Sequence, residues 1–176
     1  MSKAAVFLFA IMGGKFACAQ YKPLDKGSSI QFKIKNFGFN VTGTFTGLSG
    51  SILFDPDRPA DAAFDVSVDV NSVNTDNSMR DDHLRKFTYL DAKDYPRIRL
   101  LSTKITAAGK KGNFLFSGKL TIRNHTSDIS FPFTADPSEG GYLFKGIFTI
   151  NRKDFEVGGT STISDNLEVS LGILAK

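Results

Sequence analysis

The chain has no tryptophan, a single cysteine and only two histidines among its 176 residues. With Cys18 alone, no internal disulfide can form, and His83 and His125 without further cysteine give no zinc-ligand pattern. Acidic residues at Asp55/Asp57 and Asp81/Asp82 lack the spacing of a calcium loop. No Gly-x-Ser-x-Gly elbow is present. Ser78 and His83 fall too close together on one short helical stretch to converge as a triad, so hydrolase chemistry is not expected. Gly158-Gly159-Thr160 follows no strand-to-helix pattern and does not read as a phosphate cradle. Runs of cations are missing as well, none being longer than Lys110-Lys111 once the N-terminal stretch is set aside. A nucleic-acid partner needs several convergent cations, so none is expected despite a formal charge of +4.

Long apolar runs are also lacking. Ala4 to Met12 is too short to span a bilayer. Preceded by Met1-Ser2-Lys3 and followed by Ala17-Cys18-Ala19, a small-x-small cleavage pattern, it reads as a signal peptide over residues 1–19. Lys15 stands three before Cys18 where a lipobox wants an aliphatic residue, so lipidation is not expected. The expectation is one domain over residues 20–176 of a periplasmic or secreted protein, with no transmembrane segment after cleavage. Cleavage would remove the cysteine, Lys3 and Lys15, leaving +2 (20 basic against 18 acidic residues).

Phenylalanine is what the chain has in quantity: 17 in all, 14 of them beyond Ala19. A ring without a polar handle belongs in a dry interior. Period-two alternation then places strands. Ile30, Phe32 and Ile34 share one face, and Val41 and Phe45 share a face of a long segment from Asn40 to Phe54. Phe64, Val66, Val68 and Val70 follow a Pro-rich turn at Asp55–Pro59. Ile98 to Thr106 is a strand whose inward face is ambiguous at Leu100-Leu101. The remaining faces are Phe114, Phe116, Gly118, Leu120 and Ile122; Ile129, Phe131 and Phe133; Tyr142, Phe144, Gly146, Phe148 and Ile150; and Leu167, Val169, Leu171 and Ile173. That makes eight strands joined mostly by short turns, an all-β antiparallel fold. A two-sheet sandwich would use the same alternation, but glycines at the face positions Gly43, Gly118 and Gly146 favour a strongly curved barrel. Such a barrel either fills itself or holds one small ligand.

One segment breaks the period. Between the third and fourth strands, Ser78 to Phe87 has the spacing of a short helix, with Ser78 as cap and Asp81 as its capping-box partner. Asp81–Arg85 and Asp82–Lys86 are spaced for i,i+4 ion pairs, and Met79, His83 and Phe87 line one stripe beside Leu84. So short a helix must dock on the sheet or across an open end, as a plug or as a lid.

Arg80-Asp81-x-His83-Leu84, then Asp91 and Tyr95-Pro96-x-Ile98, resembles the signature of the YceI-like family. The likeness extends to Asp25, Ser29-Ile30, Phe32 and Lys35, to Gly50, Ile52 and Phe54-Asp55-Pro56, and to Ser72-Val73-x-Thr75. Gly118-x-Leu120-Thr121-Ile122 and Arg152-x-Asp154-Phe155 continue it. Asn36 and Gly27 stand where histidines are expected, Glu156 where a glycine is, and Tyr21 in place of a tryptophan. The resemblance implies an eight-stranded lipocalin-like barrel, with the helix between strands three and four, that binds polyisoprenoid, isoprenoid quinone or a similar amphiphilic lipid without catalysis. No other cofactor is implied.

The expected lining is Phe32, Ile34, Phe45, Phe64, Val66, Leu120, Phe131, Phe144, Phe148, Val169 and Leu171, with Met79, His83, Leu84 and Phe87 at the helix. Phe114 and Phe116 could instead pack under the helix. Arg152 has two readings, an ion pair with Asp154 that ties a loop to the rim, or a fork on a lipid head such as a diphosphate. The alternative to a carrier is a filled barrel with a structural or partner-binding role, and homodimer formation stays open.

Overall fold

The computed structural model describes residues 18–159 and 162–176. The expected leader lies outside them except for Cys18 and Ala19. Ten strand segments form one antiparallel sheet: β1 (Ala19–Tyr21), β2 (Pro23–Asn36), β3 (Phe39–Phe45), β4 (Ser49–Phe54), β5 (Ala63–Asp69), β6 (Arg97–Ala107), β7 (Asn113–Ile122), β8 (His125–Ser138), β9 (Gly141–Asn151) and β10 (Ile163–Ala175). Among the described residues there is one α-helix, α1 (Ser78–Arg85), between β5 and β6. The lateral order is β1-β4-β5-β6-β7-β8-β9-β10-β2-β3.

Ten segments replace the expected eight because two strands are interrupted. β1 and β2 are separated only by Lys22, whose backbone exchanges hydrogen bonds with Lys176 (2.8 and 3.0 Å). β1 pairs with β4 while β2 pairs with β10, so this one stretch of chain joins the two margins of the sheet. β3 and β4 are likewise one path broken around Gly47, and an isolated Thr44–Asn74 bridge continues the pairing beyond β5. The sheet therefore curls into a barrel. Two glycines on the inner face serve the curvature by close approach. A phenyl ring, Phe32, occupies the place of a side chain at Gly43, and Phe131 does so at Gly146.

The interior divides in two. At one end Phe54, Phe64, Phe114, Phe116, Phe131, Phe133 and Phe144 pack into an aromatic block. Phe54 meets Phe114, Phe144 and Tyr142 edge-on at 5.1–5.2 Å, and Phe116 stacks on Phe131 at 4.9 Å. Edge and offset contacts of this kind suit the ring quadrupoles. Phe114 and Phe116 thus belong to this block and not beneath the helix. The β8–β9 ladder stops at Phe133–Gly146, and beyond it the stack of Phe131 on Phe148 (4.4 Å) bridges the seam. The other end has an aliphatic cluster, Val70, Leu90, Ala92, Leu120, Ile122, Ile150 and Phe155.

The helix departs from its expected electrostatics. Its cap is Asn77, whose side chain accepts the Arg80 amide at 3.0 Å, one residue before Ser78. Asp81 is buried and accepts from the Thr75 amide (2.9 Å) and hydroxyl (2.6 Å), so it turns away from Arg85. Arg85 pairs with Asp82 instead (2.9 Å) and donates to the carbonyls of Asn71 and Val73, both at 3.0 Å. Lys86 already has extended backbone at the helix end, so the Asp82–Lys86 spacing loses its geometry. Asp81 and Arg85 thus anchor the helix to the Asn71–Thr75 segment that follows β5.

On the outer face, Arg99 holds Asp65 in a bidentate fork (2.7 and 2.7 Å), and these hydrogen bonds lower the carboxyl below 3.8. A lowered folded value contributes stability above the unfolded value, and that contribution is lost as pH falls through the folded one. Asp65→Asn is therefore expected to destabilise by about 0.5 kcal/mol at neutral pH, since both partners are half exposed. In urea unfolding the gap from wild type should close as pH falls below 3.8; a gap that persists unchanged in acid would contradict the assignment.

Candidate ligand cavity

Alternation in adjacent strands builds the wall of a cavity of about 470 Å³ at the helix end. Register fixes three rows across β2, β10 and β9. Ile34, Leu167 and Ile150 form one row, Phe32, Val169 and Phe148 the next, and Ile30, Leu171 and Gly146 the third. Gly146 leaves the last row open, and the Phe131 ring fills that gap, which closes the cavity floor against the aromatic block. The opposite wall comes from Val66 and Val68, from Ile98 and Leu100, and from Leu120 and Ile122. Leu100 pairs with Val66 and Leu120 and so faces inward, while Leu101 lies between Asp65 and Lys119 on the outer face. Helix α1 lies across the top with Met79, Arg80, His83 and Leu84.

Of the residues read from the sequence, Phe32, Ile34, Phe45, Val66, Met79, His83, Leu84, Leu120, Phe148, Arg152, Val169 and Leu171 border this cavity. Four do not. Phe64, Phe131 and Phe144 are inward-facing as expected, but they lie lower in the barrel and are consumed by the aromatic block. Phe87 follows the end of the helix, falls off its stripe and is 73% exposed. The interior available to a ligand is therefore mainly aliphatic, and most of the phenylalanine is floor. Ile30 and Leu167 were missed although they are in phase with named neighbours. Val157, from the connection between β9 and β10, and Ile163, the first residue of β10, carried no periodic signal.

The polar groups of the border are largely engaged. Arg152 is only 5% exposed, and its guanidinium donates to the carbonyls of Val157 (2.8 Å), Gly158 (2.8 Å), Gly159 (3.2 Å), Ile163 (3.3 Å) and Ser164 (3.1 Å), and to Asp165 (3.1 Å). Its carboxylate partner is Asp165, not the expected Asp154, which is exposed. Asp165 is also bonded to Lys153 (2.8 Å), and that contact holds its carboxyl below the usual range. Arg80 donates to the Thr75 hydroxyl and carbonyl, both at 2.7 Å. His83 is exposed, with its ring centroid 6.4 Å from that of Tyr89. No helix among the described residues is long and apolar enough to cross a membrane.

Fold and cavity together define a lipocalin-like antiparallel barrel with an apolar internal pocket. The chain belongs to the YceI-like family, whose domain model matches residues 21–175. Among curated relatives, a UPF0312 protein of Pseudomonas putida strain W619 is 26% identical over 172 residues, covering 93% of this chain and 89% of the relative. A UPF0312 protein of Pseudomonas fluorescens is 31% identical over 168 residues, 88% and 85% of the two chains. The crystal structure of Burkholderia cenocepacia BcnA superposes with a TM-score of 0.80 at 25% identity, over 86% of this chain and 98% of that one. A polyisoprenoid-binding domain from Saccharophagus degradans shares the fold with a TM-score of 0.71 at 16% identity, over 89% and 97%.

Proposed function

We propose that this protein is a non-catalytic carrier that holds the apolar tail of an amphiphilic lipid, a polyisoprenoid or isoprenoid quinone, in the cavity beneath α1. The observation that carries this reading is an aliphatic cavity of about 470 Å³ left open in a barrel whose other end is densely filled. An apolar pocket of this size is in the range of small-molecule sites, about 300–1,000 Å³. It amounts to on the order of fifteen water-sized volumes, room for about three isoprene units. Burying ten tail carbons contributes roughly 8 kcal/mol, about micromolar affinity before ordering costs. The Saccharophagus degradans domain of the same fold is a polyisoprenoid-binding one, which agrees with this ligand class. The engagement of Arg152 and Arg80 in backbone contacts supports a binding role that relies on the tail more than on the head. The leader-like N-terminus suggests that the carrier works in the periplasm or outside the cell.

Native mass spectrometry of gently purified protein tests the reading. A lipid-mass adduct that organic solvent removes, or that appears on adding prenyl alcohols or quinones, is expected. Consistent absence of any adduct with added prenyl lipid would favour the filled-barrel alternative.

A further inference from the structure

Phe37, Phe39 and Met79 are among the most exposed large apolar side chains of the described residues. The β2–β3 hairpin ends in a two-residue turn, Phe37 at φ 50° and Gly38 at φ 82°, the geometry that matches strand twist and keeps a hairpin tip stiff. Its two aromatic residues have nothing to pack on: Phe37 is 73% exposed and Phe39 is 77% exposed. The residues just inside them, Asn36 and Val41, already border the cavity, as does Met79, itself 77% exposed. Single exposed hydrophobics are ordinary. Three large ones around the mouth of an apolar cavity are not.

Charge follows the same segment. From Gln31 to Thr44 the hairpin carries Lys33 and Lys35 and no acidic residue. Both lysines are exposed, and neither is in an ion pair among the described residues, although Glu168 stands opposite Lys33 in the ladder. Lys35 lies about 7 Å and Lys33 about 13 Å along the strand from Phe37, at strand rise, so Lys35 is within one screening length of the tip.

We propose that this hairpin tip, together with Met79, seats the mouth of the barrel on an anionic phospholipid bilayer, with Phe37 and Phe39 inserted among the headgroups and Lys33 and Lys35 facing lipid phosphates. The proposal rests on the carrier reading, because a long prenyl tail reaches a water-soluble protein from a lipid phase. A fluid bilayer suits the shape of the patch. Two rings on a narrow turn offer far less than the roughly 800 Å² per partner that a stable protein interface buries. A bilayer interface instead accepts isolated apolar side chains to a depth of about 5–10 Å and rewards adjacent cations.

Flotation of the full chain with phosphatidylcholine vesicles, with and without phosphatidylglycerol, at low and high salt, tests it. Uptake of farnesol from solution, followed by native mass spectrometry, reads the cavity separately. Wild type is expected to float with the anionic vesicles and to be released by salt. A Phe37→Asn/Phe39→Ser variant, in which Asn tolerates the positive φ, should bind them about tenfold less or weaker while melting and taking up farnesol as wild type does. Farnesol uptake without vesicle binding, or equal vesicle binding by the variant, overturns the docking proposal and leaves the carrier reading intact. Tip-dependent vesicle binding without farnesol uptake upholds docking and removes the carrier reading. Self-association in solution that the variant loses, without vesicle binding, assigns the tip to a second copy and overturns the proposal.

Discussion

Val169→Phe combined with Leu167→Phe is expected to leave the barrel as stable as wild type or slightly more so, and to weaken lipid uptake about 100-fold. Both side chains point into the cavity, in adjacent rows between β2 and β9. Forcing rings into a packed interior costs about 1–3 kcal/mol through off-rotamer side chains and backbone shifts. Where the neighbouring space is empty, the same rings bury their own apolar surface and cost nothing. They also take the volume of three or four tail carbons, each contributing about 0.8 kcal/mol when buried, which is the source of the 100-fold figure. Urea unfolding and a prenyl-alcohol uptake assay on the same preparations give the two readings. A fall in stability of that size with uptake unchanged would mean that the interior is filled and that ligand, if any, binds elsewhere. The pair of measurements separates carrier from filled barrel without knowledge of the natural ligand.

The contrast between Val169 and Phe131 shows how far sequence could go. Both are in phase on inward faces, so alternation could say that each points to the interior. Depth along the barrel is not a periodic property. It depends on register between strands distant in sequence, such as Val169 opposite Phe32 and Phe148, and on where glycine lets a ring cross the axis, as at Gly146. The aliphatic and aromatic layers therefore looked alike until the strands were paired. The strand count went astray for a related reason. Gly47, with Gly43 and Gly50, reads in the sequence as a bend or bulge in one strand, and its positive φ of 71° marks the break between β3 and β4, whereas nothing local at Lys22 marks the change of neighbour from β4 to β10. Helix α1 was found by its departure from period two, and its family motif by Arg80-Asp81-x-His83-Leu84, but its contacts were assigned within the helix. Asp81 and Arg85 instead reach back to the segment from Asn71 to Thr75, a tertiary choice that i,i+4 spacing cannot reveal.

Arg152→Ala is expected to destabilise the protein by about 3 kcal/mol, a loss of roughly 6–12 °C in Tm. The guanidinium gathers five carbonyls and one carboxylate from both arms of the connection between β9 and β10, in a place where little water reaches. Each charge-assisted bond is worth more than a neutral one, and truncation leaves several acceptors facing a void. The loss stays below their sum because the connection can relax toward solvent and Asp165 keeps Lys153. Arg152→Lys should recover less than half, since an ammonium has three donors and cannot reproduce the planar fork. The two roles considered for this residue give opposite patterns. A group that holds a lipid head would lower affinity on truncation while leaving the ligand-free protein as stable as before, and lysine would keep most of the binding. A group that holds the rim lowers ligand-free stability first, and uptake suffers only as Val157 and Ile163 lose their places at the cavity border. Thermal melts of delipidated protein decide between them, and the saturation of every guanidinium nitrogen by the chain itself argues for the rim.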